Sequence, residues 1–315
     1  MSDKKGGAPP DQSIPSDPPP EYSAAVEHEA AAAGQALPVR PAGAASSQPS
    51  RPPPGALRKP PTPLDVPILA HLRSHRVILA SSSPRRKALL AQVGLNNLEI
   101  WPSMKPEDLS KVLYGPFEYV SETAHRKCLD VYQEVLAAQE AAAAKAEEDP
   151  SSNTRVPPDP ELVIAADTVI VTRAGRILEK PRSAADHNQM LRHLRDTNTH
   201  RVLTAVCVLS PRRDAAHPGY SIASHTEETQ VVFAKQSDGL TDSVIDSYVR
   251  TREGADKAGG YALQGTGGLI LVERIEGSMD NVIGLPVRRC LQLAEKVIFQ
   301  QNEEEEADVS SEEEE

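Results

Sequence analysis

The sequence predicts an α/β fold in which helices flank a mixed central sheet. Three observations lead there. Between about Val66 and Gln300, short runs rich in Val, Ile and Leu alternate with segments of helical period. Some neighbouring apolar runs are joined by a tight turn and others by a helix, so hairpins and crossovers coexist and the sheet is not all parallel. On either side of this region both patterns vanish.

In chain order, Val77-Ile78-Leu79-Ala80 is a short buried strand. Ser83 stands as the N-cap of the next helix with Pro84 at its first position, Gly94 stops it, and Leu89, Leu90 and Val93 face the core. A second helix runs from about Phe117 to Ala144, where Val120, Ala124, Val131 and Val135 form an apolar stripe. Residues 137–160, Ala-Glu-Lys and then polar, read as a low-complexity inserted loop. Leu162-Val163-Ile164 and Val169-Ile170-Val171 bracket Asp167, which is expected at a strand end facing a cleft, and Ala174-Gly175 turns the chain into Ile177-Leu178 as a hairpin. A helix near Ala184 to Leu194 and strands at Val202 to Leu209 and Thr229 to Phe233 follow. A helix at Thr241 to Thr251, a last strand at Leu269 to Val272 and a closing helix at Pro286 to Phe299 complete the pattern.

The flanks are of another kind. Fifteen of the 28 prolines precede Leu64, in an arm (1–65) too poor in large apolar residues to offset its ordering entropy. The tail (301–315) carries nine acids and no Lys or Arg, so it holds nine of the eleven net negative charges and leaves the remainder near neutral. A folded unit over 66–300 between two disordered ends is the expected organisation, with no nucleic-acid partner. Cys128, Cys207 and Cys290 are too far apart for a metal-ligand pair and odd in number, which argues against a disulfide framework. Apolar runs stay well short of the roughly 20 residues that cross a bilayer. The N-terminal residues are polar and carry proline, unlike a secretory signal, so the expectation is a cytoplasmic protein without a membrane partner.

Four strings carry chemistry. Ala80-Ser81-Ser82-Ser83-Pro84-Arg85-Arg86 turns from a strand into a helix, where free backbone N–H groups, three hydroxyls and two guanidiniums suit a polyphosphate. Alone, it serves equally as a serine-capped surface helix with solvated arginines. Asp167 lies among Val, Ile, Leu and Ala, where an unpartnered charge is costly. It can act as a base toward water or hold a divalent cation, or it can cap a turn through Thr168. Lys180 precedes Pro181 and is held extended, and Lys127 sits on the apolar stripe of its own helix, snorkelling or reaching into a site. Asp256 to Gly268 holds five glycines, which suit a ligand-lining loop, and Gln264 within it can donate and accept together.

Taken together these strings resemble the Maf family of nucleoside triphosphate pyrophosphatases, from Val77 to about Leu291. The matching strings are Leu79 to Arg86, Ala166 to Val171, Leu178-Glu179-Lys180-Pro181 and Asp256 to Gly265, joined by His200 to Val206 and Asn281 to Pro286. The resemblance implies two lobes around a central cleft, a divalent cation such as magnesium or manganese, a nucleoside triphosphate substrate, and hydrolysis between its α and β phosphates. It places Asp167 as base with Lys180 beside it, and Ser81, Arg85, Arg86, Lys127 and Lys180 on the phosphates. Arg85, Thr168 and Gln264 take positions tied to substrate choice, and Gln264 before Gly265 is similar to the branch acting on dTTP and UTP. No metal ligand is assigned, a homodimer is left open, and a non-catalytic nucleotide-binding regulator of septum formation is the rival. Two departures stand out: Met104 to Leu109, where Glu107 is the candidate for an acidic position, and Ser278-Met279 after Gly277.

Overall fold

The computed structural model describes residues 64–300, apart from 106–107, 112, 149–155 and 213–218. Nearly all of the expected arm, the acidic tail and Glu107 therefore lie outside the described residues. The elements are α1 (Pro67–Ser74), β1 (Val77–Leu79), α2 (Pro84–Gln92), β2 (Leu98–Ile100) and α3 (Pro116–Glu148). Then come β3 (Leu162–Thr172), β4 (Ile177–Leu178), α4 (Ala184–Thr197), β5 (Thr199–Pro211) and β6 (Tyr220–Phe233). The chain closes with α5 (Asp242–Thr251), α6 (Thr266–Ile270), β7 (Val272–Glu276), α7 (Met279–Ile283) and α8 (Val287–Phe299).

The sheet runs β2-β1-β3-β5-β6-β7, with β4 also on β3. β1 is parallel to β2 and β3, and the remaining pairings are antiparallel, so the sheet is mixed. Strand periodicity divides the core. Val163 and Ala165 of β3 pack with Val120, Ala124, Cys128 and Val131 of α3. Ile164 and Ala166 point the other way, to Leu69 and Leu72 of α1, Leu90 of α2 and Cys290 of α8. A third cluster gathers Ile170 and Val202 with Leu191 of α4, Ile245 of α5 and Phe233. β3 and β5 run through both the paired clusters and the third, which gives two lobes built on shared strands.

Three expectations need correction. Asp167 lies in the middle of an unbroken 11-residue strand and not at its end, because its charge is met there by a partner described below. The helix α3 runs past its expected end near Ala144 to Glu148, so residues 137–148 of the expected insert are helix and not loop; alanine, glutamate and lysine favour helix, and no glycine or proline interrupts them before Pro150. Leu269 and Ile270 belong to α6, not to a strand. The Glu253 carboxylate accepts the N–H groups of Thr266 and Gly267 at 3.1 and 2.9 Å, which caps that turn. β6 is also longer than its apolar part, since the polar stretch from Tyr220 to Glu228 is held by backbone pairing to β5. Among the described residues no helix is long and apolar enough to cross a membrane.

His200, at the start of β5, ties the glycine-rich segment to the sheet. Its Nε2 lies 2.8 Å from the Tyr261 hydroxyl, and its ring meets Phe233 and Tyr261 edge-on. Burial drives its pKa down to about 3. The unfolded chain takes up this proton near pH 6.5, so the stabilising effect of a neutral His200 is complete above that value and is lost as pH falls toward 3. Urea unfolding at pH 7 and pH 5 should show about 2 kcal/mol less pH-dependent loss in His200→Gln than in the natural chain. Equal losses would refute this role.

Candidate active site

β1 occupies one edge of β3 over Leu162–Ile164, and β4 occupies the same edge over Ile170–Val171. Between them, from Ala165 to Val169, that edge has no strand partner among the described residues, while the other edge stays paired to β5 throughout. A cavity of about 550 Å³ opens in this gap. Consecutive strand residues point to opposite faces, so Asp167 and Thr168 leave β3 in opposite directions. A gap in the sheet edge lets one cleft reach both.

Asp167 is 8% exposed, and the Lys127 ammonium donates to its Oδ1 at 2.8 Å. Lys127 does come off the apolar face of α3, but it turns inward. Each charge offsets the desolvation of the other, and removing one partner of such a buried pair costs about 3–5 kcal/mol. Asp167 Oδ2 has no hydrogen bond among the described residues. It is the oxygen available to a water or a cation.

Arg86 closes the opposite side of the gap. Its Nε donates to the Gly284 carbonyl at 2.8 Å, one terminal nitrogen to Ser81 Oγ at 3.0 Å and the other to Thr168 Oγ1 at 3.0 Å. The chain continues inward. Thr168 and Thr204 share a hydrogen bond of 3.0 Å, Thr204 donates to the Asn281 carbonyl at 2.9 Å, and the Asn281 amide donates to Thr229 and to the Val202 carbonyl. One planar fork thus fixes the β1–α2 turn, β3 and the end of α7.

A family model described as "Maf-like protein" matches residues 76–297. The chain belongs to the Maf family. It is 41% identical to a "dTTP/UTP pyrophosphatase" of Schizosaccharomyces pombe over 239 residues, which span 75% of this chain and 90% of that relative. A "dTTP/UTP pyrophosphatase" of Anaeromyxobacter dehalogenans is 42% identical over 71% of this chain and 95% of its own length. One of Pyrococcus furiosus is 36% identical over 70% and 94%.

The other site residues expected of a Maf chain line the same cavity: Ser81, Arg85, Arg86, Lys127, Asp167, Thr168, Lys180 and Gln264. Arg85 lies 3.7 Å from Asp256, a loose and partly exposed pair that contributes little. Burial pushes the Asp256 carboxyl up, but Lys257 and Arg85 more than reverse this and hold it below the usual range. Lys180 is exposed at the mouth and has no hydrogen bond or ion pair among the described residues. Its neighbour Glu179 accepts from the Tyr119 hydroxyl at 2.7 Å and pairs with Lys111. Burial raises the Glu179 carboxyl, yet these two hydrogen bonds and the charges of Lys111 and Arg182 leave it lowered. Gln264 is exposed at the end of the glycine-rich segment. That segment is anchored by Gly259 N–H to the Glu179 carbonyl at 3.0 Å and by His187 Nε2, 2.5 Å from the Gly260 carbonyl. Gly260 has φ +77°, and a Cβ there would lie 2.5 Å from the His187 ring, so only glycine fits.

Sequence reasoning missed the clamp on Glu179, the His187 anchor and the Thr204–Asn281 chain; Asn281 stood in a recognised string without an assigned role. Among the described residues no three His, Cys, Asp or Glu ligand atoms gather in the cleft. The two arginines differ in what they hold. Arg86→Lys should lower thermal stability by about 1–3 kcal/mol, since a lysine reaches fewer of the three acceptors. Arg85→Lys should stay within about 0.5 kcal/mol. Chemical denaturation of both variants checks this, and equal losses would contradict the division.

Proposed function

We propose that the chain hydrolyses dTTP and UTP to the nucleoside monophosphate and pyrophosphate. The observation that carries the reading is the Lys127–Asp167 pair at 2.8 Å inside a cleft flanked by Ser81, Arg85 and Lys180. Water attacks the α phosphorus, a new P–O bond forms, and the bond from that phosphorus to the bridging oxygen breaks, so that pyrophosphate leaves. Asp167 Oδ2 takes the water's proton or orients the water, and Lys127 holds the carboxylate in place for that task. Arg85, Lys180 and the N–H groups at the start of α2 balance the charge spread over the phosphate oxygens. Gln264 offers an N–H to a pyrimidine carbonyl and accepts from the ring N–H, a pattern shared by thymine and uracil.

The cleft also fits a hard divalent cation. Magnesium and manganese take oxygen ligands, and magnesium commonly binds through one or two carboxylates plus substrate phosphates. Asp167, with an oxygen facing the cleft, is the residue that would hold it. Such a cation would supply charge neutralisation on the triphosphate. The substrate pool fits a cytoplasmic protein.

The test is pyrophosphate release from a panel of canonical and modified nucleotides with magnesium or manganese. dTTP and UTP should lead the panel, and Asp167→Asn should cut their turnover by about 10²- to 10⁴-fold while nucleotide binding persists. Full turnover in Asp167→Asn, or release from no nucleotide, would overturn the proposal. Gln264→Ala should narrow the preference for dTTP over dCTP by about tenfold, read from the ratio of kcat/KM values.

A further inference from the structure

Far from the cleft, two histidines and a glutamate converge. His71 and His75 lie one turn apart at the end of α1, and Glu161 immediately precedes β3. One ring nitrogen of each histidine and a carboxylate oxygen all lie within 4.8 Å of one another. His71 Nε2 is 2.7 Å from Glu161 Oε1, and the two imidazoles stack with centroids 4.0 Å apart. None of the three is fully buried: the His71 and Glu161 side chains are 24% and 18% exposed. An ion from solvent can reach them.

We propose that His71, His75 and Glu161 bind a zinc-class divalent transition metal, with water completing the coordination. Two imidazoles and one carboxylate are a donor set that zinc accepts and that magnesium, which demands oxygen, does not favour. The support behind the ligands has the form such sites use. His75 Nδ1 lies 2.7 Å from the His71 carbonyl and 3.1 Å from Ser74 Oγ, so a proton donated to that carbonyl leaves the Nε2 lone pair for a metal. Phe299 of α8 stands edge-on to His71 at 5.3 Å and walls one side. Glu161 and Asp167 are six residues apart on one extended stretch, about 20 Å at strand rise. The metal is therefore distinct from any cation that serves the cleft. Bound there, it would staple the end of α1 to the start of β3.

The full chain, stripped with chelator, is offered zinc in the presence of excess magnesium, and bound zinc is counted by atomic emission after gel filtration. One zinc per chain is expected, and cobalt in its place should give the visible absorption of a low-coordinate nitrogen and oxygen site. His75→Gln and Glu161→Gln should each lose that zinc and that absorption while retaining magnesium-supported pyrophosphate release. A second readout needs no variant. Zinc should shift two of the nine histidines in ¹⁵N spectra of the natural chain, whereas no histidine lines the cleft among the described residues. No uptake, uptake unchanged in both variants, or uptake without a histidine response would overturn the proposal. The first of these would leave the contact between His71 and Glu161 a simple hydrogen bond.

Discussion

The cleft depends on one missing pairing. β1 ends at Leu79 and β4 begins at Ile177, so the edge of β3 between them is left without a neighbour in the middle of an otherwise continuous sheet. Everything polar in the site is arranged around that interruption. The far edge of β3 carries ten consecutive pairings to β5, from Val163 to Thr172, and these hold the interrupted strand in register. A strand so held can present Asp167 to one face and Thr168 to the other without losing position.

The two polar residues are then secured by unlike devices. Asp167 is met by a charge from α3, whose apolar face is buried through Val120, Ala124 and Val131. Thr168 is met by a hydrogen-bonded chain that passes from Arg86 through Thr204 and Asn281 to Thr229. Satisfied buried chains of this kind rigidify the elements they join, because a broken link leaves a donor or acceptor unpaired in a low dielectric. The result is a floor tied by hydrogen bonds, with the exposed side chains of Lys180 and Gln264 at the rim. Such a division would suit the proposed hydrolysis, in which a flexible triphosphate is held against a positioned water.

Much of this was legible in the residues. The strand at Val77, the helix opened by Pro84 and the hairpin at Ala174-Gly175 followed from local pattern and turn chemistry, while Lys127, a charge on an apolar stripe, was left open between snorkelling and reaching into a site. The errors came where distant partners decide. Nothing near Leu269 reveals that Glu253 caps the turn before it, and nothing near Asp167 reveals that Lys127, forty residues earlier, makes the middle of a strand tolerable for a carboxylate. The order of the motifs along the chain joined Ser81, Arg86, Asp167 and Lys180 into one site. Local physics left each of them close to an ordinary surface or capping role.

The central claim is that the interrupted edge of β3 directs water to the α phosphorus of a nucleoside triphosphate. Hydrolysis of dTTP in ¹⁸O-labelled water, with mass analysis of both products, tests it most directly. The account predicts the label in the monophosphate and none in the pyrophosphate. Label in the pyrophosphate would place the attack on the β phosphorus and contradict it.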